Sequence, residues 1–304
     1  MSIASKIDRL GYKAIRLWGT LFSQGSAEKD ERYLKVLFRY KMGKPLNLEN
    51  PTTFSEKLQW LKLYDRRPEY STMVDKYAVK QYVADRIGEE YVFPCLGVWD
   101  HFDEIDFDKL PDRFVLKCTH DSGGLVIVRD KSRMDKAAAR RKIERCLKRN
   151  FFLYGREWPY VNVRPRILAE QYFEDDSGTG LRDYKFFCFD GVVRALFIAT
   201  ERGVEGTETK FDFFDADFNH LPFTNGHPNA DVMPAKPAGF EEMKRLASEL
   251  SKGIPQVRID FYDINGKVYF GEFTFSHWSG FKPFVPEEWD YTFGSWITLP
   301  EKTV

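Results

Sequence analysis

The segment from Arg258 to Thr274 constrains the fold more than any other part of this chain. It consists of two strand-like stretches joined at Asn265-Gly266, and Asn-Gly is favoured in hairpin turns because both residues tolerate a positive φ. Each stretch carries one acid, Asp260 before the turn and Glu272 after it. The pattern therefore predicts a β-hairpin with an acid on each strand.

The register of this hairpin decides whether the two acids can act together. A two-residue turn pairs Asp260 with Gly271 and puts Glu272 on the opposite face of the sheet. A three-residue connection that extends to Lys267 pairs Asp260 directly with Glu272 on one face. The sequence leaves both registers open.

Two carboxylates on one face repel each other unless a cation lies between them. Mg²⁺ is the natural candidate, because proteins bind it through one or two carboxylates together with substrate phosphates. Arg258 precedes Asp260 by two residues, so it projects from the same face and could hold a phosphate or a carboxylate. The alternative is an ordinary surface hairpin whose charges are solvated.

Composition excludes several classes of protein. The chain has 304 residues, enough for two domains or one large one, and its 46 basic and 46 acidic residues cancel, which argues against nucleic acid as a partner. The four cysteines form no CxxC pair, so we expect neither a zinc site nor disulfides, and a reducing cytoplasm fits best. We find no signal peptide and no apolar run near the roughly 18 residues that a membrane span needs.

Two stripes run along the first 22 residues. The apolar stripe has the alternating spacing of one helical face and consists of Ile3, Ile7, Leu10, Ala14, Leu17 and Leu21. The basic stripe beside it consists of Lys6, Arg9, Lys13 and Arg16. Such a helix could lie on an anionic membrane surface, which would make the protein peripheral at the inner face of the cytoplasmic membrane. Alternatively, it docks on its own domain and leaves a solvated rim.

The remaining sequence mixes helix and strand signals without a sharp linker. A helix is expected to begin at Thr53, because Thr53 and Glu56 match a capping box. Further helices are expected over residues 75–88, 134–150 and 240–252. Strands are expected over residues 91–99, 113–119, 125–129, 167–173, 184–189, 192–200, 211–214 and 218–223, with polar loops at 175–180 and 201–209. This order predicts an α+β fold.

Three segments have features that suit a nucleotide. The strand 114–117 places Lys117 just before Ser122-Gly123-Gly124, whose small residues let backbone N–H groups approach phosphate oxygens. The apolar strand 168–173 ends in polar groups, as an adenine-binding edge would. The acidic hairpin is the third segment.

In this order, the segments resemble the ATP-grasp superfamily, in which two α+β subdomains grip ATP and an acyl-phosphate forms on a carboxylate substrate. More closely, the chain resembles the TupA-like ATP-grasp family, which is associated with teichuronopeptide and other bacterial surface polysaccharides. The matching motifs are Phe54–Asp65, Val74–Tyr77, Phe114–Cys118, Asp183–Phe186 and Arg258–Phe261. The resemblance covers about residues 30–298 and implies an ATP-grasp fold.

The resemblance also implies a division of the chain. We expect an N-terminal helical region over residues 1–50 and an N-terminal α/β part over 51–112. The small ATP-grasp subdomain with its Gly-rich lid would then span 113–165, and the large subdomain with the metal site would span 166–304.

By the same resemblance, ATP and Mg²⁺ are the expected cofactors. Lys117 would contact the α-phosphate or adenine, and Lys76 or Lys80 would be a second cation beside the nucleotide. The other nucleotide-binding residues would be Ser122, Gly123 and Gly124 in the lid, Glu170, Gln171, Tyr172 and Phe173 around adenine, and Asp183 at the ribose. The metal ligands would be Asp260, Glu272 and Thr274, although Thr274 stands where many ATP-grasp enzymes have an Asn. Arg258, Lys185 and His277 would act in catalysis.

The implied reaction is ligation of a carboxylate to an amine or amino acid. The expected carboxylate belongs to a uronic acid of a bacterial surface glycan or its precursor, and the enzyme would be cytoplasmic. One alternative is a sugar kinase that uses His277 or His120 as a base. Another is a glycosyltransferase with Asp215-Ala216-Asp217 as a metal motif, although Asp106-Phe107-Asp108 matches that motif equally well.

Overall fold

The computed structural model describes residues 3–22, 26–175, 181–201 and 207–303 and has the α+β architecture that the sequence predicts. The helices are α1 Ile3–Phe22, α2 Ala27–Met42, α3 Phe54–Tyr64, α4 Glu69–Val74, α5 Ala78–Ile87, α6 Lys136–Leu147, α7 Phe152–Gly155, α8 Phe240–Leu250 and α9 Glu288–Ser295. The strands are β1 Cys95–Trp99, β2 Phe114–Cys118, β3 Leu125–Val128, β4 Ile167–Gln171, β5 Asp183–Phe189, β6 Val192–Thr200, β7 Lys210–Asp215, β8 His220–Leu221, β9 Thr224–Asn225, β10 Val257–Ile264, β11 Lys267–Thr274 and β12 Phe284–Val285.

Helix starts follow the sequence closely at α3 and less closely at α5. Thr53 caps α3 as predicted, and Glu56 completes a reciprocal capping box. The helix expected over 75–88 begins later, at Ala78. Asp75 instead lies between α4 and α5, where its carboxylate accepts hydrogen bonds from the backbone N–H groups of Tyr77 and Ala78. An Asp in this position satisfies free N–H groups at a helix start.

The first sheet has four antiparallel strands in the order β1-β4-β2-β3. The apolar residues of β2 that face away from the cleft pack with α6, so the alternating residues Val115 and Lys117 point the other way. Glu170 of β4 pairs with Val115 and therefore lies on the same face as Lys117. Strand β4 belongs to this sheet although it follows the subdomain boundary expected at residue 165.

The second sheet has six antiparallel strands in the order β11-β10-β5-β6-β7-β8. One face packs on α8, and the other packs on α3 and α9 at the end of β5 that contains Phe187. Because side chains alternate along a strand, Asp183 and Lys185 lie on the same face as Phe187. Asp260 pairs with Lys185 and Arg258 with Phe187, so these polar groups also share that face.

The hairpin between β10 and β11 combines the two registers that the sequence left open. Asn265 and Gly266 both have positive φ, 54° and 85°, and form the two-residue turn. Nevertheless Asp260 pairs with Glu272, because a β-bulge at Gly271 shifts the register by one residue. A Cβ on Gly271 would lie 3.0 Å from the carbonyl oxygen of Asp260, so the bulge favours glycine.

Helix α1 contacts the rest of the protein through a face other than the part of its predicted apolar stripe at residues 10–21, and the side chains of Ile3 and Ile7 lie outside the described part of the structure. Gly19 lets the helix approach Tyr33 so closely that a Cβ would lie 2.1 Å from the ring, and Arg156 donates a 2.8 Å hydrogen bond to the Gly19 carbonyl. The side chains of Leu10, Leu17 and Leu21 are 65, 60 and 61% exposed, so these three residues of the stripe face solvent.

The predicted basic stripe of α1 is divided between two environments. The Arg16 guanidinium lies 3.9 Å from the centre of the Tyr154 ring, and Lys13 is exposed. The side chains of Lys6 and Arg9 lie outside the described part of the structure, as do the loop residues 176–180 and 202–206. Among the described residues, no helix is both long and apolar enough to cross a membrane.

Candidate functional site

A cleft of about 400 Å³ lies between the two sheets and brings together most of the predicted site residues. These are Lys76, Lys117, Ser122, Gly123, Gly124, Glu170, Asp183, Lys185, Arg258, Glu272 and His277. Asp260 lies just behind the cleft surface and is only 1% exposed. Thr274 lines an adjacent cavity. The tertiary structure thus gathers residues that are up to about 200 positions apart in sequence.

On the first sheet, Glu170 is the centre of a cationic cluster. It forms ion pairs with Lys80 and Lys117, and only 6% of the residue is exposed. Burial acts to raise the pKa of Glu170, but attraction by Lys117 and Lys80 lowers it overall, so the carboxylate is ionised. Lys80 also donates a 2.8 Å hydrogen bond to the carbonyl of Phe93. We call Glu170, Lys80 and Lys117 the lysine cluster.

The residues that follow Glu170 reach the cleft less directly than predicted. Gln171 and Tyr172 line a separate surface depression beside Arg113. The Tyr172 hydroxyl donates to Glu174 at 2.7 Å and accepts from Arg129 at 3.1 Å. Gln171 and Tyr172 therefore do not bring their side chains to the cleft. Gln171 points away from it because successive residues of a strand point to opposite faces. Tyr172 follows the last residue of β4, so the alternation of the strand no longer sets its direction.

Phe173 contacts the cleft through a second aromatic ring. Its ring centre lies 5.4 Å from that of Phe93, which itself lines the cleft. Phe173 also packs on Tyr269, with 5.2 Å between ring centres. Its role in the structure is to support Phe93.

The Gly-rich loop is held in place by Lys76 and Asp121. The Lys76 ammonium donates a 2.6 Å hydrogen bond to the Asp121 carbonyl, and the Gly124 N–H donates a 3.1 Å hydrogen bond to the Asp121 carboxylate. A Cβ on Gly124 would lie 2.5 Å from the sulfur of Cys118, so a larger residue would displace the loop. Lys76 thus joins the loop to the start of α5.

On the second sheet, Asp260 is fully engaged by cations. Arg258 donates two hydrogen bonds of 2.7 Å, one to each carboxylate oxygen, and Lys185 forms an ion pair with the same carboxylate. Asp183 lies 3.4 Å from the Lys185 ammonium. We call Asp183, Lys185, Arg258, Asp260 and Glu272 the acidic cluster. Its three carboxylates outnumber its two cations.

Glu272 is the member of the acidic cluster that is open to the cleft, since 45% of its side chain is exposed. Its Oε1 lies 3.3 Å from the Arg258 guanidinium and 3.3 Å from the Thr274 hydroxyl. Desolvation acts to raise the pKa of Glu272, but attraction by Lys185, Arg258 and Lys76 lowers it overall. Glu272 therefore presents an ionised carboxylate to any ligand in the cleft.

His277 is held by hydrogen bonds at both ring nitrogens and is 4% exposed. Nε2 lies 3.0 Å from the Asn225 side-chain oxygen, and Nδ1 lies 2.9 Å from the Arg258 guanidinium. Burial lowers its pKa well below 6.5, and Arg258 and Lys185 add to this effect. Neutral His277 thus donates from Nε2 and accepts at Nδ1, an assignment that the surrounding donors fix. It positions Arg258, and no lone pair is left for it to act as a base.

Sequence reasoning did not identify Asn225, which orients His277. The Asn225 amide donates to the carbonyls of Lys282 and Pro283 at 3.0 and 3.1 Å, so its oxygen is free to accept from His277. A single Asn in a Pro-rich stretch carries no functional signal, because the partner lies 52 residues away in sequence.

The alternative bases and metal motifs from the sequence lie elsewhere. His120 is buried, and its Nε2 lies 3.1 Å from the Arg149 carbonyl. Asp215 accepts backbone hydrogen bonds from Asp217 and Asn219 at 2.9 and 2.8 Å, and Asp106 caps its own short turn in the same way. Both Asp-x-Asp motifs therefore have local structural roles in turns.

Mg²⁺ can be tested against the donors of the acidic cluster. Within residues 3–22, 26–175, 181–201 and 207–303, no three or more His, Cys, Asp or Glu side chains form a preorganised metal site. Asp260 and Glu272 nevertheless pair directly across the hairpin on one face. This set fits an ion that takes one or two carboxylates from the protein and its other ligands from phosphates and water. Glu272 is the more accessible ligand, and Thr274 already accepts a 2.9 Å hydrogen bond from Arg258.

A second cavity of about 660 Å³ continues from the cleft. The two share Lys76, Ser122, Arg258, Glu272 and Trp278 in their walls. Arg258 and Glu272 therefore lie at the junction, where a group bound in either cavity can reach them.

Comparison with solved structures finds distant similarities to ligases. The D-alanine–D-alanine ligase from Bacillus anthracis in complex with ATP is 16% identical with a TM-score of 0.37, over 67% of this chain and 53% of the ligase. The D-alanine–D-alanine ligase from Helicobacter pylori is 14% identical with a TM-score of 0.45, over 83% and 68%. The ATP-grasp ligase PsnB with minimal precursor, Mg and ADP is 12% identical with a TM-score of 0.41, over 73% and 58%. This chain thus spans about half of the first ligase.

Sequence comparison is more decisive. The search of curated proteins found no match. A family model described as TupA-like ATPgrasp matches residues 56–298, which is most of the 304-residue chain and includes nearly all of the cleft. This chain therefore belongs to the TupA-like ATP-grasp family, and its two sheets form an α+β fold of the ATP-grasp type.

Proposed function

We propose that the protein is an ATP- and Mg²⁺-dependent ligase that joins a carboxylate to an amine. The observation that carries this proposal is the pair of oppositely charged clusters that face each other across one cleft. The lysine cluster offers two cations for one carboxylate, and the acidic cluster offers three carboxylates for two cations. ATP bound with Mg²⁺ has matching parts, because its phosphates are anionic and its metal is cationic.

The nucleotide would lie with its adenine and ribose between the lysine cluster and Asp183. When adenine binds at Glu170, its amino group can donate to the carboxylate, and Lys117 becomes available to a phosphate oxygen. The Gly-rich loop 121–124 would cover the phosphates with backbone N–H groups. Mg²⁺ would be held by Glu272 and Asp260 and would neutralise phosphate charge.

The reaction would proceed in two balanced steps. An oxygen of the substrate carboxylate attacks the γ-phosphorus, the bond to the β-phosphate oxygen breaks, and ADP leaves. The amine then attacks the acyl carbon, inorganic phosphate leaves with the bonding electron pair, and the amine proton passes to solvent or phosphate. Arg258 lies at the junction of the cavities, where its guanidinium can stabilise the charge on the transferred phosphoryl group or on the tetrahedral intermediate.

We propose a uronic acid of a bacterial surface glycan, or of its precursor, as the carboxylate substrate and an amino acid or other amine as the second substrate. The support is family membership, together with a cavity beside the cleft that is large enough for a sugar. We retain the expected subdomain division as part of this proposal. In this division the small subdomain spans residues 113–165 and the large one 166–304, and β4 of the large range pairs with β2 of the small one.

The deciding experiment is an ADP-release screen with ATP, Mg²⁺ and a panel of uronic acids, each with and without amino acids. We expect ADP release that requires a uronic acid and rises with an amine, with an amide product detected by mass spectrometry. Stabilisation by a UDP-sugar in a thermal-shift assay, without stabilisation by ATP and Mg²⁺, would contradict the proposal in favour of a glycosyltransferase.

We further propose that α1 contacts the inner surface of the cytoplasmic membrane. The support is the exposure of Leu10, Leu17 and Leu21 on one side of the helix, with exposed Lys13 near them. Apolar side chains flanked by cations favour an anionic bilayer surface.

Co-sedimentation with vesicles tests this contact. The triple variant Leu10→Ser, Leu17→Ser and Leu21→Ser should lose binding to anionic vesicles, whereas the unchanged protein should bind anionic and not zwitterionic vesicles. The control is Val232→Ser with Met233→Ser, because these residues are exposed elsewhere, at 84 and 44%. Equal sedimentation of all three proteins would show that α1 does not bind membranes.

A further inference from the structure

The second cavity has walls from parts of the chain that are far apart in sequence. Helices α1 and α2 contribute Tyr12, Tyr40 and Lys41, and the segment after β11 contributes Trp278 and Lys282. The cavity joins the cleft at Arg258 and Glu272. A ligand here would therefore have one end at the proposed site of phosphoryl transfer.

Seven residues of these walls carry aromatic rings. The rings belong to Tyr12, Tyr40, Phe151, Tyr154, Tyr160, Trp278 and Phe281. The faces of aromatic rings are electron-rich and suit the C–H groups that a sugar ring presents on its faces, while tyrosine hydroxyls suit the sugar's hydroxyls. A cavity for a simple amino acid would need few of these rings.

The charges in the cavity favour an anion. Its walls contain four cations, Lys41, Lys76, Arg258 and Lys282, and two carboxylates, Glu157 and Glu272. The Lys41 ammonium lies 4.0 Å from the centre of the Tyr12 ring, so a ring and a cation can contact the same ligand. The Lys282 ammonium likewise lies 5.9 Å from the centre of the Trp278 ring.

Trp278 occupies the junction in an unusual backbone conformation. Trp278 and Ser279 both have left-handed φ, 49° and 55°, which is costly for residues with a Cβ. Lys62 donates a 2.7 Å hydrogen bond to the Ser279 carbonyl, and the Trp278 indole donates a 3.3 Å hydrogen bond to the Asn225 carbonyl. These bonds hold Trp278, which is 38% exposed, between the two cavities.

The N-terminal helices lie outside the residues that match the family model, 56–298. Their position is nevertheless fixed by close packing. A Cβ on Gly11 would lie 2.8 Å from the Tyr40 hydroxyl, and Arg156 binds the Gly19 carbonyl at 2.8 Å. Helix α1 is thus docked in the orientation that brings Tyr12 to the cavity.

We propose that the second cavity binds the carboxylate substrate as a sugar acid and that α1 and α2 complete this site. The inference rests on the proposed function and deepens it by assigning the substrate to particular residues. Sugar rings stack on Tyr12, Tyr40 and Trp278, one carboxylate is directed to Arg258 at the junction, and Lys41 and Lys282 bind further acidic groups of a longer chain.

Ligand-detected saturation-transfer NMR and calorimetry test the site with tetragalacturonate as the probe, and with maltotetraose and a tetraglutamate peptide for comparison. Tetragalacturonate should bind, maltotetraose should bind at least fivefold more weakly for lack of acidic groups, and tetraglutamate should bind more weakly for lack of ring faces. Tyr12→Ala and Lys41→Ala should each weaken tetragalacturonate on the order of five- to tenfold. Val36→Ala, an exposed residue of α2 outside the cavity, is the matched control and should leave affinity unchanged.

Binding of a non-hydrolysable ATP analogue to each variant is measured separately. Undiminished ATP binding by Tyr12→Ala supports the assignment, because only the second cavity has changed. Failure of the analogue to bind the unchanged protein would overturn the proposed function, whatever the sugars do. Normal analogue binding without tetragalacturonate binding, or stronger binding of tetraglutamate, would overturn the sugar-acid assignment alone.

Discussion

The lysine cluster and the acidic cluster are built differently although they face the same cleft. The lysine cluster joins Lys80 of α5, Lys117 of β2 and Glu170 of β4, which come from separate parts of the chain. The acidic cluster comes from three neighbouring strands of one sheet, β5, β10 and β11. The lysine cluster has one more cation than carboxylates, and the acidic cluster has one more carboxylate than cations.

Burial also separates the two carboxylates of the hairpin. Asp260 is 1% exposed and forms ion pairs with two cations, whereas the side chain of Glu272 is 45% exposed. Asp260 and Glu272 are thus unequal members of the predicted metal site. Asp260 anchors Arg258 and Lys185, and Glu272 faces the cleft.

The largest effect is expected from Asp260→Asn. The substitution removes the carboxylate that Arg258 and Lys185 contact most closely, and breaking a buried ion pair in this way costs about 3–5 kcal/mol of unfolding free energy. Urea denaturation measures the loss, and ADP release should disappear as well. A companion variant, Asp260→Asn with Lys185→Met, should recover part of the stability because it removes a buried cation that has lost its closest partner. A loss below about 1 kcal/mol, within the range of exposed ion pairs, would contradict the structural role assigned to Asp260.

Glu272→Gln should separate activity from stability. We expect ADP release to fall by about a hundredfold or more, because the Mg²⁺ proposed to bind at the phosphates loses a negatively charged ligand. The urea midpoint should change little, since the side chain is half exposed. Glu249→Gln, an exposed residue of α8, serves as the control. Unchanged ADP release by Glu272→Gln would remove this residue from the metal site.

Lys117→Met tests the lysine cluster. Glu170 keeps Lys80 as a partner, so the fold should persist, and we expect affinity for a non-hydrolysable ATP analogue to fall about tenfold, as for the loss of one charge-assisted hydrogen bond. Isothermal titration calorimetry gives the affinity, with the exposed Lys109→Met as the control. The opposite result, an affinity equal to that of the unchanged protein, would place the nucleotide away from this cluster.

His277→Gln should produce the smallest effect, a change in the pH dependence of stability. The pKa of His277 is well below 6.5 in the folded protein, so the unfolded chain binds an extra proton once the pH falls below about that value. The contribution of neutral His277 to the free energy of unfolding is therefore fully present above pH 6.5. It decreases on acidification, by up to about 1.4 kcal/mol per pH unit. His120, whose pKa is also lowered by burial, adds to this loss.

Urea denaturation at pH 7 and pH 5 checks the contribution of His277. The unchanged protein should lose more stability between these two pH values than His277→Gln does. The contribution of His120 to the loss is the same in both proteins, so it does not affect the difference between them. An identical pH dependence would mean that His277 titrates normally and does not accept a hydrogen bond from Arg258.

The sequence determined those features that depend on neighbouring residues. The capping box at Thr53, the turn at Asn265-Gly266 and the strand that carries Lys117 all follow from local backbone preferences, and each was predicted. The family resemblance was confirmed as well. The matched residues begin at 56, later than the start near residue 30 that the sequence suggested, and include most of the motif at 54–65 and most of the residues that line the cleft.

Tertiary structure decided everything that depends on distant partners. The bulge at Gly271 sets Asp260 opposite Glu272, and the sequence could not foresee it because the extra residue is accommodated by packing across the sheet. Likewise Asn225 meets His277 only in the folded protein, and α1 turns Leu17 outward because Gly19 offers a closer approach to the core. Local propensity cannot encode such contacts, since their free energy arises only when separate segments exclude water together.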